Sequence, residues 1–264
     1  MEKVRFSIIM PAHNAEKEIE DAIKSVIMQD YENYEFIIID DLSTDNTFEI
    51  AKKYEKDNKK IKVIRHDVNK KAGGARNTGI KAADGDYILF LDSDDLLADK
   101  DVLKRLNNTI GNDKVDIVYL GFESVGEAIQ GKFIPTAKNS VKENRISTWR
   151  YENVWDVLWN REFILKNNIE FVEGKFFEDF VFYYKGVLKS NSYKYTDYIS
   201  IIYNSGRKDS MSTAISPTKL KDLYYNMICL LDVLEEVEPK YKTYIVDALK
   251  RNNDYINRLL EKLR

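Results

Sequence analysis

Along the first 120 residues, short apolar runs rich in β-branched side chains alternate with segments whose apolar positions recur every three or four residues. That alternation is the signature of βαβ units and a mostly parallel sheet. Strands are expected over Phe6 to Met10, Glu35 to Asp40, Lys62 to His66, Tyr87 to Asp92 and Asp116 to Leu120. Between the first two, Ile19, Ala22, Ile23, Val26 and Ile27 keep the i, i+3, i+4, i+7, i+8 spacing of one buried helix face, with Asn14 placed to cap it. A second helix is expected to start near Ser43 or Thr44, turning Thr47, Ile50, Ala51 and Tyr54 inward. A third is expected from about Ala75 to Ala83.

After residue 121 the pattern loosens into a polar, glycine-containing stretch to about Ser147, then recovers around Trp149, Trp155 and Trp159. From Pro217 onward it reads as two helices broken near Pro239, the second carrying Tyr244, Ile245, Ala248, Ile256, Leu259, Leu260 and Leu263 at helical spacing. The expected fold class is therefore α/β: a mostly parallel sheet flanked by helices, with a C-terminal helical appendix. Residues 1–120 and 121–216 would form two halves of one domain, and 217–264 the extension.

Charge narrows the partners. The 41 Lys and Arg against 44 Asp and Glu leave a net charge of −3, which gives no electrostatic reason to expect nucleic acid. The single cysteine, Cys229, cannot form an intramolecular disulfide and suits a reducing compartment. The apolar run behind Lys3 and Arg5 is stopped by Pro11, and no run approaches the roughly 18 residues of a membrane span. A cytoplasmic location is expected. Lys250, Arg251, Arg258, Lys262 and Arg264 on the last helix open two further expectations: peripheral contact with anionic lipid at the inner membrane face, or packing of the extension on the catalytic domain or a second subunit.

In open parallel sheets, ligands bind outside the carboxyl ends of the strands. Those ends carry Pro11-Ala12-His13-Asn14, Asp40-Asp41-Leu42-Ser43-Thr44-Asp45 and Asp92-Ser93-Asp94-Asp95, while the third strand leads into Gly73-Gly74-Ala75-Arg76-Asn77. Carboxylates packed as closely as Asp92 to Asp95 repel one another unless a hard cation such as Mg²⁺ or Mn²⁺ neutralises them. The same residues also read as a solvated acidic turn before a helix near Asp99. Asp40 and Asp41 are candidates for ribose or base recognition. Gly73-Gly74 would let backbone approach an anion at a helix start, and Arg76 would either clamp phosphate or pair with a nearby acid. The glycine fingerprint of dinucleotide enzymes is absent after the first strand.

Four stretches together resemble the inverting glycosyltransferase family 2, which has the nucleotide-sugar fold called GT-A. They are Ser7 to Asn14, Ile39 to Thr47, Gly74 to Ile80 and Gly85 to Asp95, in the family's order and spacing. The resemblance implies a UDP-sugar donor, with Pro11, Ala12 and His13 lining the uridine and Asp41 bonding the uracil. Arg76 would lie near the nucleotide or its phosphates, Asp92 and Ser93 at the ribose or donor sugar, and Asp94 on a Mn²⁺ or Mg²⁺ ion. Leu42 departs from the family, which usually carries glycine there. More thinly, Trp155 to Phe163 resembles an aromatic helix-forming stretch of the polysaccharide-building branch, Glu178-Asp179 its acidic pair, and Arg207-x-x-Ser210-x-Ser212 its late basic loop. By that analogy Asp179 is the general base and Arg207 contacts the diphosphate. The acceptor would be a saccharide or lipid-linked saccharide. Without the resemblance, Glu178-Asp179 reads as acids at a helix N-terminus.

The same residues bear on two rival classes. An aspartate-dependent phosphotransferase would carry threonine or valine two positions after its second acid, where this chain has Leu96. A silent sugar-nucleotide or glycan-binding module would not need a base and a metal carboxylate together.

Overall fold

The computed structural model describes residues 3–127, 130–140, 142–147, 153–205 and 216–261. Trp149, Arg207, Ser210, Ser212, Lys262, Leu263 and Arg264, used in the sequence reading, lie outside the described residues, as does the side chain of Leu259.

Four apolar runs form the parallel half of the sheet. β1 (Phe6–Ala12), β2 (Tyr34–Asp40), β3 (Ile61–Arg65) and β4 (Tyr87–Phe90) lie in the order β3-β2-β1-β4, each parallel to its neighbour. The crossovers are α1 (Ile19–Ile27), α2 (Thr47–Asp57) and α3 (Lys71–Ala82). Helices on both faces explain why β1, β2 and β4 are buried nearly throughout rather than alternating, while β3 at the edge keeps Lys62 and Arg65 exposed. Ile8, Ile9, Met10 and Phe36 to Ile39 are fully buried.

β1 runs two residues past its expected end. Ile9 O accepts from Leu91 N, and alternation then turns the nitrogen of Pro11 toward β4. β4 pairing has stopped at Ile9–Phe90, so the missing N–H costs no ladder bond. β4 itself ends at Phe90, short of the expected Asp92, because Asp95 N closes a turn on Asp92 O (3.0 Å). Asn14 does not cap α1. It adopts a left-handed backbone (φ 50°), and its Oδ1 accepts from Thr44 N (2.8 Å), tying the end of β1 to that of β2. The α1 cap position is Glu18, without a side-chain cap bond. α2 likewise starts later than expected, where Thr47 N donates to Asp45 Oδ1.

The second half is mixed. It comprises β5 (Leu96–Leu97), α4 (Val102–Ile110), β6 (Ile117–Gly126), β7 (Gly131–Phe133), α5 (Ala137–Ser140), α6 (Lys142–Ser147), β8 (Val157–Asn160), α7 (Arg161–Lys166), α8 (Asp179–Lys189) and β9 (Tyr193–Ser205). The sheet continues β4-β8-β6-β9-β5, with β8 antiparallel to both neighbours and β9 parallel to β6 but antiparallel to β5. The parallel pairing expected thus holds from β3 to β4 and again between β6 and β9, while β8, β7 and β5 pair antiparallel. β8 returns between β4 and β6 without a βαβ crossover, and so runs against both. The division drawn at residue 120 runs through β6.

Trp155 to Phe163 is not one helix. Val157–Asn160 is strand, and Asn160 then caps α7 by accepting from Phe163 N (2.9 Å). Trp159 drives that outcome: fully buried, it donates Nε1–H to Val154 O (3.0 Å) and meets Phe182 of α8 edge to face.

α9 (Pro217–Glu236) and α10 (Pro239–Glu261) break where Pro239 predicts, and Ser216 caps α9 by accepting from Lys219 N. Their inner faces find cover within the chain. Leu230, Val233, Tyr241, Ile245 and Ala248 join the main core, while Leu220, Leu223 and Ile256 form a second cluster with Phe177 and Met227. Among the described residues no helix is long and apolar enough to cross a membrane.

Candidate active site

The chain winds outward from β1 to β2 and β3, then returns to place β4 on the other side of β1. This reversal opens a crevice at the carboxyl ends of β1 and β4, the place where such sheets bind ligands. Two groups of side chains line that edge.

The first lies beyond β1 and β2. Asp41 is 2% exposed, and its Oδ1 accepts from His66 Nδ1 (2.7 Å) and from Lys70 N (2.8 Å). His66 is fixed in turn through Nε2 to Thr78 Oγ1 (2.8 Å) on α3. Asp41 Oδ2 is buried without a hydrogen-bond partner. A carboxylate oxygen kept from water and unsatisfied costs free energy unless a ligand donates to it. His13 stands exposed beside it, its Nδ1–H donating to Asp41 O (2.8 Å), while Pro11 and Ala12 are buried in β1. Asp40 is turned away from this group: it pairs with Arg65 Nε (3.2 Å) and accepts from Ser43 N.

The second group surrounds Arg76, which is 3% exposed. Its Nη2 donates to Asp92 Oδ1 (2.7 Å), and its Nη1 to Glu178 Oε1 (2.7 Å) and Asp179 Oδ1 (2.6 Å). Burial alone would push the guanidinium down, but Asp179, Asp92 and Glu178 outweigh it and push it up. Asp179 opens α8. Burial lifts its carboxyl well above the usual carboxylate range; Arg76 opposes that lift, and Glu178 and Asp92 add to it. Glu178 occupies the cap position of α8 without a side-chain cap bond, since its carboxylate is spent on Arg76.

Asp95 is anchored by Asn204 N (2.9 Å), while Ser93 and Asp94 are half-buried in the turn between Asp92 and Asp95. Facing the turn, Tyr203 of β9 stacks on Trp155 (4.7 Å between centroids). Burial, then Asp95, Asp92, Asp94 and Asp179, push its hydroxyl up to about 12. These four carboxylates therefore share one neighbourhood. α9 holds the segment leading into Asp179: Asn226 Nδ2 donates to Phe176 O (2.7 Å) and Phe177 O (3.0 Å), and Asp222 Oδ2 accepts from Phe176 N (3.1 Å).

The sequence pattern described as Glycosyl transferase family 2 matches residues 7–166. The chain belongs to that family. Among family 2 relatives, the cholesterol galactosyltransferase of Borreliella burgdorferi is 30% identical over 271 residues, covering 92% of this chain and 73% of the relative. The UDP-Glc:alpha-D-GlcNAc-diphosphoundecaprenol beta-1,3-glucosyltransferase WfgD of Escherichia coli is 37% identical over 140 residues, 52% of this chain and 54% of WfgD. The crystal structure of S. aureus TarS 1–349 in complex with UDP superposes with a TM-score of 0.75 at 26% identity, covering 94% of this chain and 71% of that one. The α/β, GT-A-like architecture with flanking helices is shared with it.

Within this family 2 chain, the site brings together Asp92, Asp94, Asp179 and Arg76 at one end, and Pro11, Ala12, His13 and Asp41 at the other. Of the two roles open for Arg76, the structure has it paired with acids. The glycine pair does not open a helix toward an anion. Both residues lie inside α3, which starts a turn earlier than expected, and a Cβ on Gly73 would lie 2.6 Å from Val172 O and 3.0 Å from Glu178 Cγ. Gly73 therefore allows α3 to approach Glu178. His66 and Tyr203 were missed. His66 is one of two histidines and follows β3 on the productive edge, which was the available signal; Tyr203 offered none.

Leu42, where family 2 usually has glycine, takes φ 60°, in the left-handed region that a side chain disfavours. That conformation costs about 1–2 kcal/mol, against which glycine brings about 0.5–1 kcal/mol of extra chain entropy. Leu42→Gly is therefore expected to stabilise the protein by about 0.5–1 kcal/mol, read as a midpoint about 2 °C higher in thermal denaturation.

Proposed function

We propose that this family 2 glycosyltransferase moves a sugar from a UDP-sugar to an acceptor hydroxyl with inversion, in surface polysaccharide or glycan assembly. The observation that carries the reading is Asp41 Oδ2, a buried acceptor without a donor, held in place by its twin oxygen and lying on the same sheet edge as the Arg76 group. A base N–H meets that need: uracil offers its imide N3–H, whereas in the same pose cytosine presents an N3 acceptor, and the exocyclic amines of cytosine and adenine would need a different pose. TarS binding UDP supports the same donor here, and WfgD's diphosphoundecaprenol-linked acceptor supports a lipid-linked saccharide.

Among the described residues no three His, Cys, Asp or Glu side chains form a cage able to hold a metal unaided. One or two carboxylates completed by substrate phosphate is the usual way to hold Mg²⁺, so the Asp92 to Asp95 turn fits such an ion, with Asp94 as its ligand. When bound, the ion supplies positive charge to the leaving diphosphate. Asp179 takes the proton of the acceptor hydroxyl as that oxygen bonds to the anomeric carbon, and the carbon–oxygen bond to UDP breaks with its electrons leaving on the diphosphate. A single displacement on the opposite face inverts the centre. Arg207 is assigned to the same diphosphate.

Calorimetry tests the reading. UDP is expected to bind at least about tenfold more tightly with Mn²⁺ or Mg²⁺ than in excess chelator, because the acids otherwise meet a diphosphate of like charge. It should also bind more tightly than CDP or ADP, and Asp94→Ala should abolish the metal dependence. Equal affinity in chelator overturns the metal assignment; equal affinity for the three nucleotides overturns the role of Asp41.

A further inference from the structure

α9 is apolar on two sides. Its inner face is covered by the core, but its outer face exposes Ile228 (60%), with Tyr224, Tyr225 and Leu231 around it, each almost half exposed. Apolar residues scattered singly on a surface need no explanation. Tyr224, Ile228 and Leu231, however, recur at the i, i+4, i+7 spacing of one helix stripe, with Tyr225 beside them. Together the four expose roughly 400 Å², a patch size that on a monomer often marks a binding site. Charge bounds the stripe. Lys221 stands exposed at its amino-terminal end, and Asp232 and Glu235 stand exposed at its carboxyl-terminal end. The next acid, Glu236, is turned aside to Lys189 (2.7 Å).

The order of these residues is symmetric about Ile228. Lys221 and Glu235 stand seven residues to either side of it, Tyr224 and Asp232 four, and Tyr225 and Leu231 three. At 3.6 residues per turn all six lie within about 60° of Ile228, on a face about 21 Å long. A second copy of the helix laid antiparallel on that face, with a twofold axis at Ile228, therefore meets it in register. Ile228 packs on its own counterpart, Tyr224 faces the partner's Leu231, Tyr225 faces the partner's Asp232, and Lys221 faces the partner's Glu235. Apolar groups meet at the centre, and a base meets an acid at each end, as a self-complementary interface requires. A parallel pair would instead set Lys221 against Lys221 and Glu235 against Glu235. An anionic lipid surface fits worse still, because this face of the helix carries two acids against one lysine.

We propose that the chain forms a twofold dimer in which the outer faces of two α9 helices pack antiparallel, centred on Ile228 and held in register by Lys221 and Glu235. This surface is separate from the donor and base assignments above and does not depend on them. A single helix pair buries less than the roughly 800 Å² per partner of a standard interface, so the dimer is expected to be weak, with a Kd of about 10 µM.

Sedimentation velocity on the full chain, from about 1 to 200 µM, tests this. Wild type is expected to pass from monomer to dimer across that range. Ile228→Asp sets two carboxylates together on the axis and should leave the protein monomeric throughout, with its thermal midpoint unchanged because the site is exposed. Lys221→Glu and Glu235→Lys each oppose like charges at both ends of the interface and should weaken the dimer about tenfold. Combined, they should return the affinity to within about twofold of wild type. The two positions stand too far apart along one helix to rescue each other within a chain, so recovery reports the antiparallel register. Wild type that stays monomeric at the highest concentration overturns the proposal, as does a dimer that survives Ile228→Asp or a double variant no tighter than the single ones. Monomeric wild type that co-sediments with phosphatidylglycerol vesicles, and loses them on Ile228→Asp, gives the face to lipid and overturns it too.

Discussion

Asp179→Asn is expected to lower sugar transfer by roughly 10²- to 10⁴-fold, the range that general base catalysis supplies, and to leave metal-dependent UDP affinity nearly unchanged. The amide keeps the size of the side chain and an oxygen with which to accept from Arg76 Nη1, now 2.6 Å from Asp179 Oδ1. What it lacks is the capacity to take a proton. Burial beside Glu178 and Asp92 lifts the Asp179 carboxyl well above the usual carboxylate range, toward the pH at which it would exchange protons with a hydroxyl. Transfer by wild type should accordingly fall as the pH drops through that raised value, where the base becomes protonated, and Asp179→Asn should flatten this acid limb. If Asp179 only began a helix, the change would cost about 1 kcal/mol of stability or less and spare turnover. Turnover and UDP affinity measured on one folded sample separate the roles, and near-normal turnover would refute the assignment.

Arg76→Leu should cost about 3–5 kcal/mol of stability, the usual consequence of removing one partner from a buried ionic group. On a chain of this size that is a fall of roughly 10 °C in unfolding midpoint. The arginine fork neutralises carboxylates from the turn after β4 and from the start of α8 with two nitrogens. Arg76→Lys keeps the charge without the fork and should recover only part of the loss. The pH dependence has a definite sign. Asp179 is already raised in the folded state, and losing Arg76 removes the group that opposes this rise. The folded variant therefore binds more protons than the unfolded chain between about pH 4 and its own raised value, so its stability should recover as the pH falls through that window. Urea denaturation at pH 8 and pH 5 checks this; equal losses at both would show that the acids do not carry the effect.

The sequence made the parallel half legible because βαβ units write their pattern locally. Each buried strand is a continuous apolar run and each crossover helix repeats its apolar face, so β1 to β4 and α1 to α3 were found with errors of a few residues at their ends. Asp41 was legible for the same reason, lying just past a strand on the productive edge. The partners of Arg76 were not, because Glu178 and Asp179 lie 102 and 103 residues away in the chain. β8 escaped because four residues around Trp159 carry no period long enough to distinguish strand from helix. Leu42 shows a third case: its departure from the family pattern was visible, but the φ that makes glycine preferable is a property of the folded turn.

The grip of Asp222 and Asn226 on Phe176 and Phe177 has a consequence for the order in which a growing chain acquires its abilities. The strands and loops that would receive the nucleoside end of the donor, around Asp41, His66 and Thr78, are complete before Asp95, and the ribosome delivers them first. Asp179 emerges later, and the helix that fastens the segment ahead of it, Pro217–Glu236, later still. During synthesis, then, the chain would be able to hold the nucleoside of a donor before it could spend the sugar. Nucleotide binding and proton abstraction would mature at separate moments, and a half-made enzyme would not squander activated sugar on water.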